Sequence, residues 1–201
     1  MLHTDARFSE AVERAVEALE KRTDAEIVVV ASERSGHYRD VAMFAASTLS
    51  FVLLLVLLFA PFDVHPASVP IEIGLTWLIG AWLFNGRHPL RVLAPRRRQI
   101  EQVRLAAHAE FHREAVHGTP NRTGLLVYVS GLEGRVELVP DAGLEGRIPR
   151  GVWAKATQEF SHDDLDHFLA GLQAIGEVLA EHVPALEVDE IDLPNAPRIR
   201  P

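Results

Sequence analysis

Apolar and polar residues alternate along this chain in three distinct styles. Near the start, Phe8, Val12, Ala15, Val16 and Leu19 recur at helical spacing, which predicts an amphipathic helix over 5–22. Residues 26–31 (EIVVVA) form a short, unbroken β-branched run, the pattern of a strand covered on both faces. Ser35-Gly36 ends it. Residues 41–60 then carry no charge, and Ser47, Thr48 and Ser50 are their only polar members. A helix of that length spans ~30 Å, the thickness of a bilayer's hydrocarbon core. Soluble core helices rarely run so far without a polar face, and the polar, patterned residues 1–40 ahead of it do not suit a signal peptide. After Pro61, residues 69–84 are again apolar, with Trp77 and Trp82 inside and Glu72 near the start. They are expected to form the return leg of a transmembrane hairpin, with Glu72 hydrated at the interface and Tyr38 and Trp82 at headgroup level.

The pattern beyond residue 95 resumes that of the first forty. Ile100, Val103, Ala107, Phe111 and Ala115 mark a second amphipathic helix, expected to end near Gly118. Residues 124–129 (GLLVYV) read as a second covered strand, 130–134 as a turn, and 136–139 as its hairpin partner. A third helix is expected around 152–160. Ser161 and Asp164 form a capping box before a helix striped by Leu165, Phe168, Leu169, Leu172, Ile175 and Leu179. Residues 186–201 read as a loose acidic tail. One helix and one strand cannot bury each other, so the two flanks must complete one another. The expected fold is a three-layer α/β/α sandwich made of residues 1–40 and 95–185, interrupted by a two-helix hairpin at 41–86.

Charge fixes an orientation for that arrangement. Arg34 and Arg39 precede the first span, Arg87, Arg91, Arg96, Arg97 and Arg98 follow the second, and the loop at 61–69 has no Lys or Arg. The positive-inside rule places the loop outside, and the soluble domain with both termini in the cytoplasm, against a bacterial inner membrane. The two flanks must lie on one side to share a sheet, and the arginines say independently that they do. The 201 residues carry 20 Lys and Arg against 28 Asp and Glu, a formal charge of -8, which argues against nucleic acid as a partner. No cysteine is present, so disulfides, thiolate metal sites and Cys nucleophiles are excluded. The expected partners are membrane lipids, for which Arg96, Arg97 and Arg98 provide headgroup contacts, and another membrane protein.

Several motifs resemble the TPM domain family, in its bacterial membrane branch with a transmembrane hairpin inserted in the domain. These are Ala25-Glu26-Ile27-Val28-Val29, Asn121-Arg122-Thr123-Gly124-Leu125-Leu126, Val139-Pro140-Asp141-Ala142-Gly143-Leu144, and Gly171-Leu172 with Ile175-Gly176 and Leu179-Ala180-Glu181-His182. The resemblance implies an α/β/α fold. It also implies one of the roles associated with the family: acid phosphatase activity, divalent-cation binding, photosystem repair or modulation of membrane complexes. The family's Asp-x-Gly pattern falls on Asp141 and Gly143.

If the first two strands are parallel and the third antiparallel to the second, Asp24 and Glu26 share a sheet end with Asn121, Arg122 and Asp141, and with Glu145 close by. Carboxylates converging with an amide oxygen suit Ca2+ or Mg2+, so Asp24, Glu26 and Asp141 are the candidate metal ligands. The alternative is structural, with Glu26 and Asp141 pairing Arg122 to close the sheet edge. His108 and His112 stand one helical turn apart, a spacing at which two imidazoles can share a metal. His162, Asp163, Asp164, Asp166 and His167 form another ligand-rich run, although acids at a helix start already serve its dipole. No nucleophile elbow, Walker loop or dinucleotide fingerprint is present. The sequence therefore favours a non-enzymatic interaction or assembly module at the membrane, with a divalent-cation-dependent phosphatase as the alternative.

Overall fold

The computed structural model describes residues 6–59, 61, 65–119, 121–160, 164–185 and 195–200. They fall into two compact units, one of residues 1–35 with 100–201 and one of residues 36–99.

The first unit is an α/β fold built on a four-stranded mixed sheet. Strands β1 (Glu26–Ser32) and β2 (Gly124–Ser130) lie parallel, in a register that sets Glu26 beside Gly124 and Ser32 beside Ser130. β3 (Arg135–Pro140) returns antiparallel to β2, and β4 (Arg198–Arg200) adds parallel to the other side of β1, giving the order β3-β2-β1-β4. Strand residues point alternately to opposite faces, and both faces are covered. Ile27, Val29, Ala31, Leu125 and Val127 meet α1 (Ala6–Glu20), α6 (Ala142–Glu145), α7 (Arg150–Glu159) and α8 (Leu165–His182) through Phe8, Val12, Leu144, Ala156, Phe168 and Leu172. Val28, Val30, Leu126 and Tyr128 meet α5 (Arg96–Arg113), whose Val103, Ala107 and Phe111 supply the opposite core. The unbroken apolar runs in β1 and β2 follow from burial on both sides. β3 lies at the sheet's edge and is less deeply buried, with Val136 facing one core and Val139 the other.

Within this unit the elements depart from the sequence reading chiefly at four places. The helix expected to run to Gly118 stops at Arg113. Ala115 turns the chain in a left-handed conformation (φ 52°), and a 3-10 turn at Val116–Gly118 drops Val116 into the core. α8 is capped by Asp164, whose side chain accepts the His167 amide at 2.8 Å, because a carboxylate at this position meets an orphan amide as well as a hydroxyl does. Ser161, expected to be the cap, lies outside the described residues, as do His162 and Asp163. α6, too short to show a period, was not expected. The tail at 186–201 is the fourth correction: residues 186–194 and 201 lie outside the described residues, but Arg198–Arg200 form β4.

The second unit holds α2 (Arg39–Phe59), α3 (Val69–Phe84) and the unanticipated α4 (Arg87–Leu93). α2 and α3 pack on each other through small residues. A Cβ at Gly80 would lie 3.2 Å from that of Ala46, and Trp77 Nε1 donates to Ser47 Oγ at 3.1 Å. On α2 only Ala42, Ala46 and Ser50, one residue per turn, are buried. Phe44, Phe51, Val52, Leu58 and Phe59 are exposed, as are Leu78, Ile79 and Trp82 on α3. The unit's two ends meet within it: Arg98 donates to the His37 carbonyl at 3.0 Å, pairs with both Asp40 oxygens and lies over the Tyr38 ring.

Candidate functional site

The parallel register brings the candidate ligands to one end of the sheet. Asp24 precedes β1, Glu26 opens it, Asn121 and Arg122 precede β2, and Asp141 follows β3. They are held by a compact set of backbone bonds. The Asp141 amide donates to the Gly124 carbonyl at 2.8 Å, the Gly143 amide to the Arg122 carbonyl at 2.9 Å, and the Arg122 amide to the Thr119 carbonyl at 3.0 Å. Arg122 itself has φ 53°, a left-handed conformation that costs a non-glycine residue ~1–2 kcal/mol. Gly143 is needed for closeness: a Cβ there would stand 2.4 Å from the Asn121 carbonyl oxygen and 2.5 Å from that of Arg122.

Within this frame the carboxylates form separate pairs. Asp141 is 3% exposed and both its oxygens are engaged. Oδ1 accepts Arg122 Nη2 at 2.9 Å and the Ala142 amide at 2.7 Å, while Oδ2 accepts Arg122 Nε at 3.2 Å. The acid thus caps α6 and fixes the Arg122 turn in one arrangement. Asp24 accepts the Asn121 side-chain amide at 3.0 Å, and its carbonyl accepts Thr123 Oγ1 at 2.8 Å. Glu26 is half-buried and Glu145 is exposed on α6. The Arg122–Asp141 pair is the contact expected of the structural alternative. Asn121 turns its NH2 donor, and not its oxygen, toward the nearest acid. Among the described residues no group of three or more His, Asp or Glu is placed to hold a metal ion.

The other candidates lie on α2 and α5 and at the start of α8. His112 on α5 packs its ring 5.3 Å from that of His117 and 5.6 Å from Phe111, while His108 is exposed. Asp164 accepts the His167 ring nitrogen at 2.8 Å, and these bonds to His167 hold the Asp164 carboxyl below its ordinary range. Arg39, Arg96 and Arg97 are exposed, whereas Arg98 is engaged by Asp40 and His37.

At the opposite end of the parallel strands lies a polar cluster that the sequence reading passed over as a turn. Glu133 is buried, accepts the Ser35 amide on both oxygens at 3.2 Å and is hydrogen-bonded by the Ser130 hydroxyl. Ser35 Oγ in turn lies 2.7 Å from Ser130 Oγ and 3.0 Å from the Tyr128 hydroxyl. Burial pushes the Tyr128 phenol above its ordinary range, opposed by its hydrogen bonds to Ser35 and Ser32. This network ties the segment after β1 to the turn after β2. The available signal was Glu133 itself, a charge set between Leu132 and Gly134 after a predominantly apolar strand.

No family model matches the chain, and no curated protein matches it. Among solved structures it is similar to the NMR structure of the BA42 protein from the psychrophilic bacterium Bizionia argentinensis. The TM-score is 0.57 and the identity 15%, over 97% of this chain and 94% of that one. At that identity the likeness is one of fold, and it agrees with the α/β architecture described above.

Proposed function

We propose that this chain is a membrane-anchored TPM-like protein whose α2 and α3 cross the bilayer as a hairpin. Its α/β unit then serves in the cytoplasm as a non-enzymatic interaction or assembly module. The observation that carries the membrane reading is the exposure of α2. In its most apolar 18-residue window, of mean hydropathy 2.6, only 17% of residues are buried. A soluble core helix of that composition would bury most of its length, and so many exposed apolar side chains destabilise a protein in water. α3 is shorter, at 16 residues, and reaches across only by thinning the bilayer locally or by anchoring through its flanks. The arginine asymmetry supplies the orientation, and the exposed Arg39, Arg96 and Arg97 are the proposed contacts to anionic headgroups.

The module reading rests on Asp141. Its oxygens already receive Arg122 and the Ala142 amide, so its charge serves to hold a turn. The rival reading, a phosphatase dependent on Ca2+ or Mg2+, draws on the gathering of Asp24, Glu26 and Asp141 at one sheet end. Single cysteines test the topology cleanly in a chain that has none. With Ala67→Cys in the loop and Glu13→Cys or Glu181→Cys in the α/β unit, an impermeant maleimide should label only Ala67→Cys from outside the cell. Labelling of the α/β positions from outside refutes the orientation. Phosphatase assays with and without each cation, on wild type and Asp141→Ala, decide the chemistry. Cation-stimulated turnover lost in Asp141→Ala establishes the rival.

A further inference from the structure

We propose that the β4-facing side of β1, together with Glu110 of α5 and Glu114 just past its end, is a docking site for an extended Arg-x-Arg segment of a protein partner. In this structure the site is filled by the chain's own Arg198–Arg200. The inference does not depend on the membrane reading.

The site is defined by what occupies it. β4 pairs parallel with β1, setting Arg198 beside Val30, Ile199 beside Ala31 and Arg200 beside Ser32, and the Glu33 amide donates to the Arg200 carbonyl at 3.1 Å. Arg198 Nε reaches Glu114 Oε2 at 3.0 Å. Arg200 bridges the two acids, with Nε 3.4 Å from Glu110 Oε2 and Nη2 on Glu114 Oε1. Ile199 is 44% exposed, so the central residue contributes little to recognition.

The acids are unusual in their burial. Glu110 and Glu114, which lies just past the end of α5, stand one turn apart with like charges, and their side chains are only 10% and 14% exposed. Arg113 reaches one oxygen of Glu110, at 2.6 Å, and is itself largely in solvent. The remaining neutralisation arrives from β4. Charge at this depth requires a partner, and here the partner is a three-residue strand from a distant part of the sequence. Backbone pairing along a sheet edge, with flanking side chains read by fixed charges, is strand-addition recognition. Residues 195–201 (NAPRIRP) hold two arginines and no acid in a chain of net charge -8, which complements the Glu110–Glu114 face. So short a strand makes few backbone bonds. It holds its place through tethering, which raises its local concentration, and a longer Arg-x-Arg strand from a partner can displace it.

A fluorescent peptide of residues 195–201, titrated by anisotropy into the purified full chain in detergent, tests this. Two opened proteins serve beside it: one lacking residues 195–201, and the full chain carrying Arg198→Glu with Arg200→Glu. Circular dichroism confirms that each is folded. The peptide should bind both opened proteins at least tenfold more tightly than the intact chain. That binding should weaken at least fivefold in 0.5 M NaCl, and at least tenfold when Glu114→Gln is added to the truncated protein. Equal binding to intact and opened proteins overturns the proposal. So does no binding to either opened protein while both are folded, or binding indifferent to Glu114→Gln.

Discussion

Gly143→Ala separates the local preference of the chain from the demands of the sheet end. Gly143 sits in α6, and in an exposed helix replacing glycine by alanine stabilises by ~0.5–1 kcal/mol. Its surroundings predict the opposite sign. The added Cβ would stand 2.4 Å from the Asn121 oxygen and 2.5 Å from the Arg122 oxygen, both on the main chain. Ordinary carbon–oxygen contact needs ~0.8 Å more, judged against the ~3.3 Å of the closest C–H···O contacts. Neither oxygen belongs to a side chain that can swing away. The Arg122 carbonyl is bound by the Gly143 amide at 2.9 Å, and Arg122 is fixed by its pair with Asp141. Relief therefore breaks that backbone bond, worth ~0.5–1.5 kcal/mol, and adds an overpacking cost of ~1–3 kcal/mol. Set against the helical gain, the net expectation is a loss of about 0.5–4 kcal/mol. Urea unfolding of the full chain in detergent, followed by tryptophan fluorescence, measures it. Gly151→Ala in α7 is the control, since nothing lies within 4 Å of a Cβ there, and it should be neutral or stabilising by up to ~1 kcal/mol. A Gly143→Ala protein as stable as wild type would refute the argument that closeness at this end requires glycine.

Three further substitutions probe the rest of the domain. Glu133→Ala leaves the Ser35 amide and the Ser130 hydroxyl without their buried acceptor and should cost about 2–4 kcal/mol, measured by the same unfolding. Leu172→Ala, at a fully buried position facing β1 and β2, should cost ~2–5 kcal/mol; a loss under 1 kcal/mol would show that α8 does not close the core. Burial raises the Glu137 carboxyl above 4.5, and Arg104, Arg135 and His108 offset this only in part. The folded state therefore binds this proton more tightly than the unfolded chain does. The resulting stabilisation is full below 4.5 and fades as pH rises through the folded value. Glu137→Gln should thus be more stable relative to wild type at pH 7 than at pH 4, and an unchanged difference between the two would refute the assignment.

Much of the first unit was legible because its signals are periodic. The stripes of α1 and α8 and the unbroken runs of β1 and β2 follow directly from one-sided and two-sided burial. The grouping of Asp24, Asn121, Arg122 and Asp141 at one end was legible too, since a parallel pair followed by a hairpin fixes which termini share an edge. What the sequence could not carry were choices made by contacts. Whether Asp141 faces a cation or Arg122 depends on Arg122 adopting φ 53°, which no pattern announces. The early end of α5 depends on Val116 entering the core, where burial outweighs continuation of the helix. β4 was missed because three residues flanked by prolines show no period, and its place is set by Glu110 and Glu114, more than eighty residues away.

An insert between β1 and α5 poses a folding problem that the second unit answers locally. Pairing of β1 with β2 requires the chain to leave after Ser35 and return by Ile100. Closing a flexible loop of that size costs on the order of 4 kcal/mol, by (3/2)RT ln n with n near 60. Two helices that pack on each other replace most of that loop with a rigid hairpin, and Arg98 joins its two ends by holding the His37 carbonyl and the Asp40 carboxylate. The clasp thus brings the entry and exit of the insert together. With α2 packed on α3 and the two ends joined, β1 and β2 pair at a smaller entropic cost than a flexible loop would impose. The Ser35–Glu133 contact extends the same logic one residue further. It anchors the last residue of the first flank to the turn after β2, so that β1 and β2 are held in register from the side on which the chain was interrupted.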